Sequence, residues 1–202
     1  MMGHELEKKK YEWLSKNNSN YGSSFHGKDY VTLLKSLNYD SILDLGTGKG
    51  QLCGALYGHY KTIYGLDWVI EPDLDISKLD INFIKADAIG IPLPDKSIDI
   101  TTSFDFFEHI HPDSVGKVFS EICRVTKRMS LHKINFSPSG GGPKHPSPTR
   151  KKLEAAVGNG ELHPSVHDPN WWTDLFNRSL GKESVIRMAK ERTEKGTYLI
   201  LH

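Results

Sequence analysis

The chain has 202 residues, with 26 Lys and Arg against 25 Asp and Glu and a formal net charge of +1. This length suits one domain with a single core. The even charge balance excludes a global attraction to nucleic acid or to an anionic membrane. Cys53 and Cys123 form neither a disulfide framework nor a metal-ligand pair, and no apolar run is long enough to span a bilayer. We therefore expect a cytoplasmic protein without membrane contact.

The chain begins with a charged segment whose apolar spacing predicts a helix over residues 5–16. A polar stretch follows, so we assign residues 1–24 to an N-terminal helix with a hinge or lid, and residues 25–202 to the main domain. Further helices are predicted at residues 28–37, 51–57 and 113–126, and strands at 41–45, 62–66, 82–85, 98–103 and 129–136. Residues 72–79 show only a weak helical pattern.

Alternating strands and helices predict right-handed crossovers and a parallel sheet covered on both faces. The last elements are a helix at 171–180 and two strands at 184–191 and 197–201, joined by a tight turn at 194–196. A short turn requires these two strands to pair antiparallel. We therefore predict an α/β fold with a mostly parallel, seven-stranded sheet that ends in an antiparallel hairpin.

Residues 138–170 interrupt this alternation with many prolines and glycines, a basic run at 150–152 and a short helix ending near 157. Long irregular insertions in compact domains usually serve a function. We predict that this insertion covers the substrate side of the site.

A glycine turn, Asp44-Leu-Gly-Thr-Gly-Lys-Gly50, lies between the first strand and the helix that follows it. Glycines let the backbone turn sharply and approach a ligand at a helix start. The dinucleotide fingerprint needs glycine at position 51, where this chain has Gln51, and no Gly-Lys-Ser/Thr closes a phosphate-binding loop. Alone, the motif also fits a plain strand-to-helix turn.

Two more acids follow the next strands. Asp67 ends the second strand, where a carboxylate can accept both hydroxyl hydrogens of a ribose, and Trp68 offers a flat face for adenine. Asp87 ends the third strand, within reach of an exocyclic amine. Each residue also has a structural reading, as a loop cap or a core tryptophan. Acids at three successive strand ends favour a nucleotide-like ligand.

Residues 41–50 resemble motif I of the class I S-adenosylmethionine-dependent methyltransferases, and the remaining elements follow the order of that family. The resemblance implies a Rossmann-like fold, with S-adenosyl-L-methionine as cofactor and S-adenosyl-L-homocysteine as product. The cofactor-binding residues that it implies are Asp44, Gly46, Thr47, Gly48, Gly50, Asp67, Trp68, Asp87, Ala88, Ser103 and Phe104.

The segment 103–110, Ser-Phe-Asp-Phe-Phe-Glu-His-Ile, is similar to the signature of small-molecule methyltransferases in this superfamily. We predict that His109, assisted by Glu108, is the catalytic base, because the pair follows the strand that ends beside the cofactor. His167 is the second candidate, together with His163. A metal site of Glu108, His109 and one of these two histidines is chemically possible, but the spacing lacks a metal signature and we predict none.

Two further segments are placed near the ligand by the resemblance. Tyr21 and His26 precede the first helix of the domain and are lid candidates, although loop packing explains them equally well. Trp171 and Trp172 lie close to the substrate or belong to the core, and adjacent helical positions point in different directions, so at least one is core.

We expect methyl transfer to an oxygen or nitrogen of a small-molecule or glycan-type acceptor. One alternative is a nucleic-acid methyltransferase that contacts phosphates through Arg150, Lys151 and Lys152. The neutral charge disfavours it, as does the lack of an Asn/Asp-Pro-Pro-Tyr/Phe sequence at the fourth strand. A second alternative is a non-catalytic module that binds S-adenosylmethionine. The sequence determines neither the acceptor nor the oligomeric state.

Overall fold

The structure is a computed structural model that describes residues 2–138, 146–180, 185–188 and 195–202. Its α-helices are α1 (Met2–Asn17), α2 (Val31–Ser36), α3 (Gln51–Leu56), α4 (Pro112–Val125), α5 (Pro148–Val157) and α6 (Pro169–Leu180). Its strands are β1 (Ser41–Leu45), β2 (Thr62–Asp67), β3 (Asn82–Lys85), β4 (Ile98–Phe104), β5 (Thr126–Asn135), β6 (Val185–Met188) and β7 (Lys195–Leu201). Single 3-10 turns lie at Lys28–Tyr30, Ile76–Lys78 and Phe107–His109.

The strands form one sheet in the order β3-β2-β1-β4-β5-β7-β6. The pairs from β3 through β5 are parallel, and β7 pairs antiparallel with both β5 and β6. The predicted α/β class, the mostly parallel sheet and the antiparallel C-terminal pair are confirmed. The chain runs outward from β1 in one direction and from β4 in the other, so the strand order reverses between them. Open α/β sheets bind ligands at such a reversal, beyond the carboxyl ends of the strands.

The predicted turn at residues 194–196 is wrong. Lys195 and Gly196 belong to β7, where they pair with Asn135 and Ile134 of β5. A Cβ on Gly196 would lie 2.6 Å from the ring of Phe136, so this glycine permits close packing inside a strand. Glu194 and the rest of the connection at residues 189–194 lie outside the described residues, as does residue 184 of the predicted strand 184–191.

The hydrophobic core has one cluster on each face of the sheet. Helices α4 and α6 cover one face, where Trp172 and Phe176 pack with Phe119. Helices α2 and α3 cover the other face and pack on residues such as Ile42 of β1. Trp172 is fully buried and therefore belongs to the core. Among the described residues, no helix has both the length and the apolar character needed to cross a membrane.

Helix α1 is anchored by a buried charge. The Lys10 ammonium is fully buried and donates to Glu7 Oε1 at 2.8 Å and to the carbonyl oxygen of Glu161 at 2.6 Å. A buried ammonium is tolerated only when it is paired in this way. The contact joins the N-terminal helix to the described part of the insertion, so both lie over the same end of the sheet.

We expect Phe119→Ala to lower the free energy of unfolding by about 3–5 kcal/mol, because it removes a fully buried ring from the core and leaves a cavity. Urea unfolding followed by circular dichroism measures this change. Lys117→Ala on the exposed face of the same helix is the matched control and should change stability by less than about 0.5 kcal/mol. Equal effects of the two substitutions would contradict the assigned core.

Candidate active site

A cavity of about 290 Å³ lies at the carboxyl ends of β1 and β4, where the strand order reverses. Asp44, Gly46 and Phe104 contribute to its wall from the sheet side. Tyr11 and Leu14 contribute from α1 on the opposite side. The cavity is therefore enclosed between the sheet edge and the N-terminal helix.

The glycine turn needs its glycines for two physical reasons. Gly46 and Gly48 have φ angles of +70° and +54°, a left-handed conformation that side chains disfavour. A Cβ on Gly46 would lie 2.7 Å from the Phe106 ring, and one on Gly48 would lie 2.9 Å from the carbonyl oxygen of Gly22. The turn is thus in direct contact with the hinge. Both glycines, and Thr47 between them, lie on the cavity wall.

Gly50 supports the turn from outside the cavity wall. It precedes α3 with a φ angle of +81°, and a Cβ there would lie 2.8 Å from the ring of Phe83. Its role in the structure is to let the chain enter α3 close to β3.

The carboxylate of Asp67 joins the glycine turn to the end of β2. Its Oδ2 accepts the backbone N–H of Gly48 at 3.0 Å, and its Oδ1 accepts that of Val69 at 3.2 Å. Burial raises the pKa of Asp67, and the backbone hydrogen bonds oppose this effect. Because the carboxylate lies on the cavity wall, its remaining lone pairs can accept hydroxyl hydrogens.

Asp44 is a buried acid at the end of β1. Its Oδ1 accepts a hydrogen bond from Thr102 Oγ1 at 3.0 Å. Burial raises the pKa of Asp44 to about 7, although the Thr102 and Thr47 hydroxyls oppose the shift. A buried carboxyl with so few charged partners fits an ammonium group in the cavity, because a cation would offset the cost of ionising it.

Of the residues predicted to contact adenine, Asp87 does not lie where the sequence analysis placed it. Asp87 accepts from His4 Nε2 at 2.6 Å and from the backbone N–H of Ile89 at 3.1 Å, and it does not line the cavity. Ala88 and Trp68 do line it. The His4 ring also packs edge-on against Trp68, with a centroid separation of 5.3 Å. Helix α1 therefore occupies the position expected for the exocyclic amine of adenine.

The structure places only one of the two residues ending β4 at the cavity. Phe104 lies on the cavity wall and stacks on Tyr30 at 5.0 Å. The side chain of Ser103 is fully buried, and its hydroxyl is 2.8 Å from Nδ1 of His132. Successive side chains of a strand point to opposite faces, so Ser103 and Phe104 cannot both face the ligand.

Asp105, which the sequence analysis missed, organises the end of β4. Its φ angle is +53°, which is unusual for a residue other than glycine. Its carboxylate contacts His26 Nδ1 at 2.9 Å, Lys195 Nζ at 2.7 Å and Lys133 Nζ at 3.9 Å. Burial raises the pKa of Asp105, but the hydrogen bonds from His26 and Lys195 outweigh it and hold the pKa well below its usual range.

Of the predicted catalytic residues, His109 lies on the cavity wall and Glu108 is buried beside it. His109 Nδ1 is 2.7 Å from the carbonyl oxygen of Leu162. Burial and then the neighbouring His163 lower the pKa of His109 to about 3. Burial raises the pKa of Glu108 to about 8, and the charge of Asp105 adds to the shift. Glu108 is therefore buried next to His109 and does not line the cavity.

His167 is not brought to the cavity. Its ring stacks on Trp171 with a centroid separation of 3.6 Å, at the start of α6. This position favours His109 over His167 as the histidine beside the acceptor.

The lid candidates Tyr21 and His26 both lie on the cavity wall. Tyr11 and Leu14 of α1 were not identified as site residues, although the apolar stripe of the predicted helix contained them. Sequence periodicity shows that a helix has an apolar face, but it does not show what that face covers.

Comparison with known proteins identifies the class. Residues 43–131 match the family model of a methyltransferase domain, a range that includes the glycine turn, Asp67 and the Glu108–His109 pair. With the fold, this match shows a methyltransferase domain that uses S-adenosyl-L-methionine as cofactor.

Solved structures share this fold at low sequence identity. A Pyrococcus horikoshii protein aligns over 94% of this chain and 98% of its own, with 15% identity and a TM-score of 0.61. A Burkholderia thailandensis 1,6-didemethyltoxoflavin N1-methyltransferase, solved with that compound and S-adenosylhomocysteine, aligns over 88% of this chain and 78% of its own, with 13% identity and a TM-score of 0.61. The Synechocystis magnesium protoporphyrin IX methyltransferase, solved with S-adenosylhomocysteine, aligns over 90% and 83%, with 14% identity and a TM-score of 0.59. No curated protein sequence matches.

We expect the affinity for S-adenosylhomocysteine to rise by about tenfold between pH 5.5 and 7.5, because Asp44 has a pKa of about 7 and attracts an ammonium group only when ionised. Calorimetric titrations across this range measure the effect. Asp44→Asn should bind more weakly and lose most of the pH dependence. An equally steep pH dependence in that variant would show that Asp44 does not contact the amino group.

Proposed function

We propose that this protein transfers a methyl group to an oxygen or nitrogen of a small-molecule acceptor that binds beside His109. The proposal rests on one observation. The glycine turn, Asp44 and Asp67 line one side of the cavity, and His109 lines another part of the same enclosed space. A cofactor held by the first group would thus share a cavity with the acceptor.

The residues present fit the cofactor. We assign the amino group to Asp44, the ribose hydroxyls to Asp67, and the adenine ring to the wall formed by Trp68 and Ala88. When bound, the cofactor supplies a methyl group activated by its sulfonium sulfur. The chain itself orients both reactants and excludes water, since α1 and the hinge cover the cavity.

His109 is the proposed polar contact of the acceptor. The Leu162 carbonyl can only accept a hydrogen bond, so Nδ1 of His109 carries the ring proton and Nε2 keeps its lone pair. A neutral imidazole of this kind accepts a hydrogen bond from an acceptor O–H or N–H and orients its nucleophilic atom. With a lowered pKa, His109 is better suited to positioning the acceptor than to strong base catalysis.

A small acceptor is supported by the enclosure of the cavity. Its volume of about 290 Å³ is just below the range of roughly 300–1,000 Å³ that is usual for small-ligand sites, and helix α1 covers one side of it. The Burkholderia and Synechocystis enzymes also act on small molecules, as their names state. A glycan-type acceptor would have to bind with only one of its sugar units inside the cavity.

The nucleic-acid alternative has less support. Arg150 Nη1 contacts Glu161 Oε2 at 2.6 Å, so one of the three cations of the basic run is already paired within the protein. Lys151 and Lys152 are exposed on α5. A strand of nucleic acid would also need α1 to move before a base could reach the cavity. The alternative of a non-catalytic module that binds S-adenosylmethionine differs from the proposed function only in lacking turnover, so a turnover assay distinguishes the two.

We expect Asp67→Ala to weaken binding of S-adenosylmethionine by about 1.5–3 kcal/mol, because it removes charge-assisted hydrogen bonds to the ribose and to the Gly48 turn. Calorimetry measures the affinity, and NAD should not compete. Asp75→Ala removes an exposed acid that does not line the cavity, so this variant should bind as the wild type does. Unchanged affinity in Asp67→Ala would disprove the cofactor assignment.

We expect His109→Ala to lower turnover while changing cofactor affinity by less than about a factor of three, because His109 contacts the acceptor side of the cavity. S-adenosylhomocysteine formation with a panel of hydroxyl and amine acceptors measures turnover, and calorimetry measures affinity. His167→Ala is the matched control and should keep wild-type turnover. Tight cofactor binding with no turnover on any acceptor would favour the non-catalytic alternative instead.

A further inference from the structure

We propose that Glu108, His109 and His163 form a site for one divalent transition-metal ion of the zinc type. We call these three residues the Glu108 cluster. Each offers one ligand atom, and the three atoms lie within 4.8 Å of one another. Glu108 and His109 follow β4, whereas His163 comes from the insertion, so only the folded chain brings the cluster together.

Both histidines are oriented as metal ligands are. His109 Nδ1 lies 2.7 Å from the carbonyl oxygen of Leu162, and His163 Nδ1 lies 2.5 Å from that of Ser137. Each carbonyl only accepts a hydrogen bond, so both Nδ1 atoms carry protons and both Nε2 atoms keep lone pairs. A hydrogen bond from the second ring nitrogen to a backbone carbonyl is the usual way of orienting a histidine that binds a metal.

The carboxylate of Glu108 supplies an unsatisfied acceptor. Its Oε1 accepts the backbone N–H of Asn135 at 3.1 Å, which holds the side chain in place. Its Oε2 is buried and has no hydrogen-bond partner within the described part of the chain. An unpaired buried carboxylate oxygen is costly, and a bound cation would remove that cost.

The donor set selects the type of ion. Two imidazole nitrogens and one carboxylate oxygen suit zinc and its neighbours, whereas magnesium and calcium prefer oxygen ligands. Three protein ligands also leave coordination positions open, as in catalytic zinc sites. Zinc binds these donors at roughly 2.0–2.2 Å, so the three side chains would move slightly inward around the ion.

The two histidine rings are in edge-to-face contact. Their centroids are 4.6 Å apart and their planes cross at 78°, so neither ring stacks over the other. His167, the other histidine considered from the sequence, is stacked on Trp171 and lies outside the cluster.

The position of the cluster suggests what the ion would do, and this step rests on the proposed function. His109 is the member of the cluster that lines the cavity, so an ion bound to its imidazole would lie beside the space proposed for the acceptor. A metal-bound acceptor hydroxyl loses its proton more readily, since the ion lowers its pKa. The ion would then take over the contact that His109 makes in the metal-free protein.

The experiment titrates Co²⁺ alone into the purified 202-residue chain after treatment with a chelator, with no cofactor or acceptor present. We expect one equivalent to bind, with the visible absorption of four- or five-coordinate Co²⁺, and added Zn²⁺ to displace it. His163→Ala and Glu108→Gln should each weaken Co²⁺ binding by tenfold or more. His167→Ala, which alters a histidine outside the cluster, should bind as the wild type does.

The outcome remains decisive if one variant misfolds, because either cluster variant tests the site and circular dichroism identifies the folded ones. No binding by the wild type at 100-micromolar Co²⁺, or equal binding by the wild type and a folded cluster variant, would overturn the proposal. Calorimetry with S-adenosylhomocysteine on the same samples separates this result from the proposed function, since Asp44 and Asp67 lie outside the cluster and cofactor affinity should survive in His163→Ala.

Discussion

The carboxylate of Asp105 is the contact on which the geometry of the site depends. It contacts His26 just after the hinge, Lys133 of β5 and Lys195 of β7, so three distant parts of the chain meet at the end of β4. Its left-handed backbone turns the chain directly after Phe104, which brings the next residues toward the cavity. The strain of this conformation is maintained because His26, Lys133 and Lys195 hold the carboxylate in place.

The cofactor side is built on a second close contact, between the glycine turn and the hinge. The Lys49 N–H donates to the carbonyl oxygen of Gly22 at 3.2 Å, and a side chain at Gly48 would collide with that same oxygen. Asp67 secures the turn from the side of β2. Burial at this site also raises the pKa values of Asp44 and Asp67, so ionising these carboxyl groups is costly unless a cation, such as the amino group proposed to bind there, lies beside them.

The groups proposed to bind the cofactor and those proposed to bind the acceptor lie in different parts of the fold. The ends of β1 and β2 hold the groups proposed for the cofactor, and the segment after β4 with the insertion holds those proposed for the acceptor. Glu108, His109 and His163 contact backbone atoms of Asn135, Leu162 and Ser137, respectively. Their positions are therefore determined by the backbone, which favours a preorganised site over one assembled by mobile side chains.

The sequence by itself determined most of the elements and the glycine turn, because these follow from local periodicity and from glycines that must adopt unusual angles. The class of enzyme followed from the resemblance of residues 41–50 to motif I of a known family. Tertiary structure alone decided that Ser103 faces away from the cavity and that Gly196 lies inside β7. It likewise decided that the Asp87 carboxylate is hydrogen-bonded to His4. It also decided that His163, not His167, joins Glu108 and His109. These outcomes depend on packing between residues up to 83 positions apart, as in the His4–Asp87 contact, and no local pattern encodes such distances.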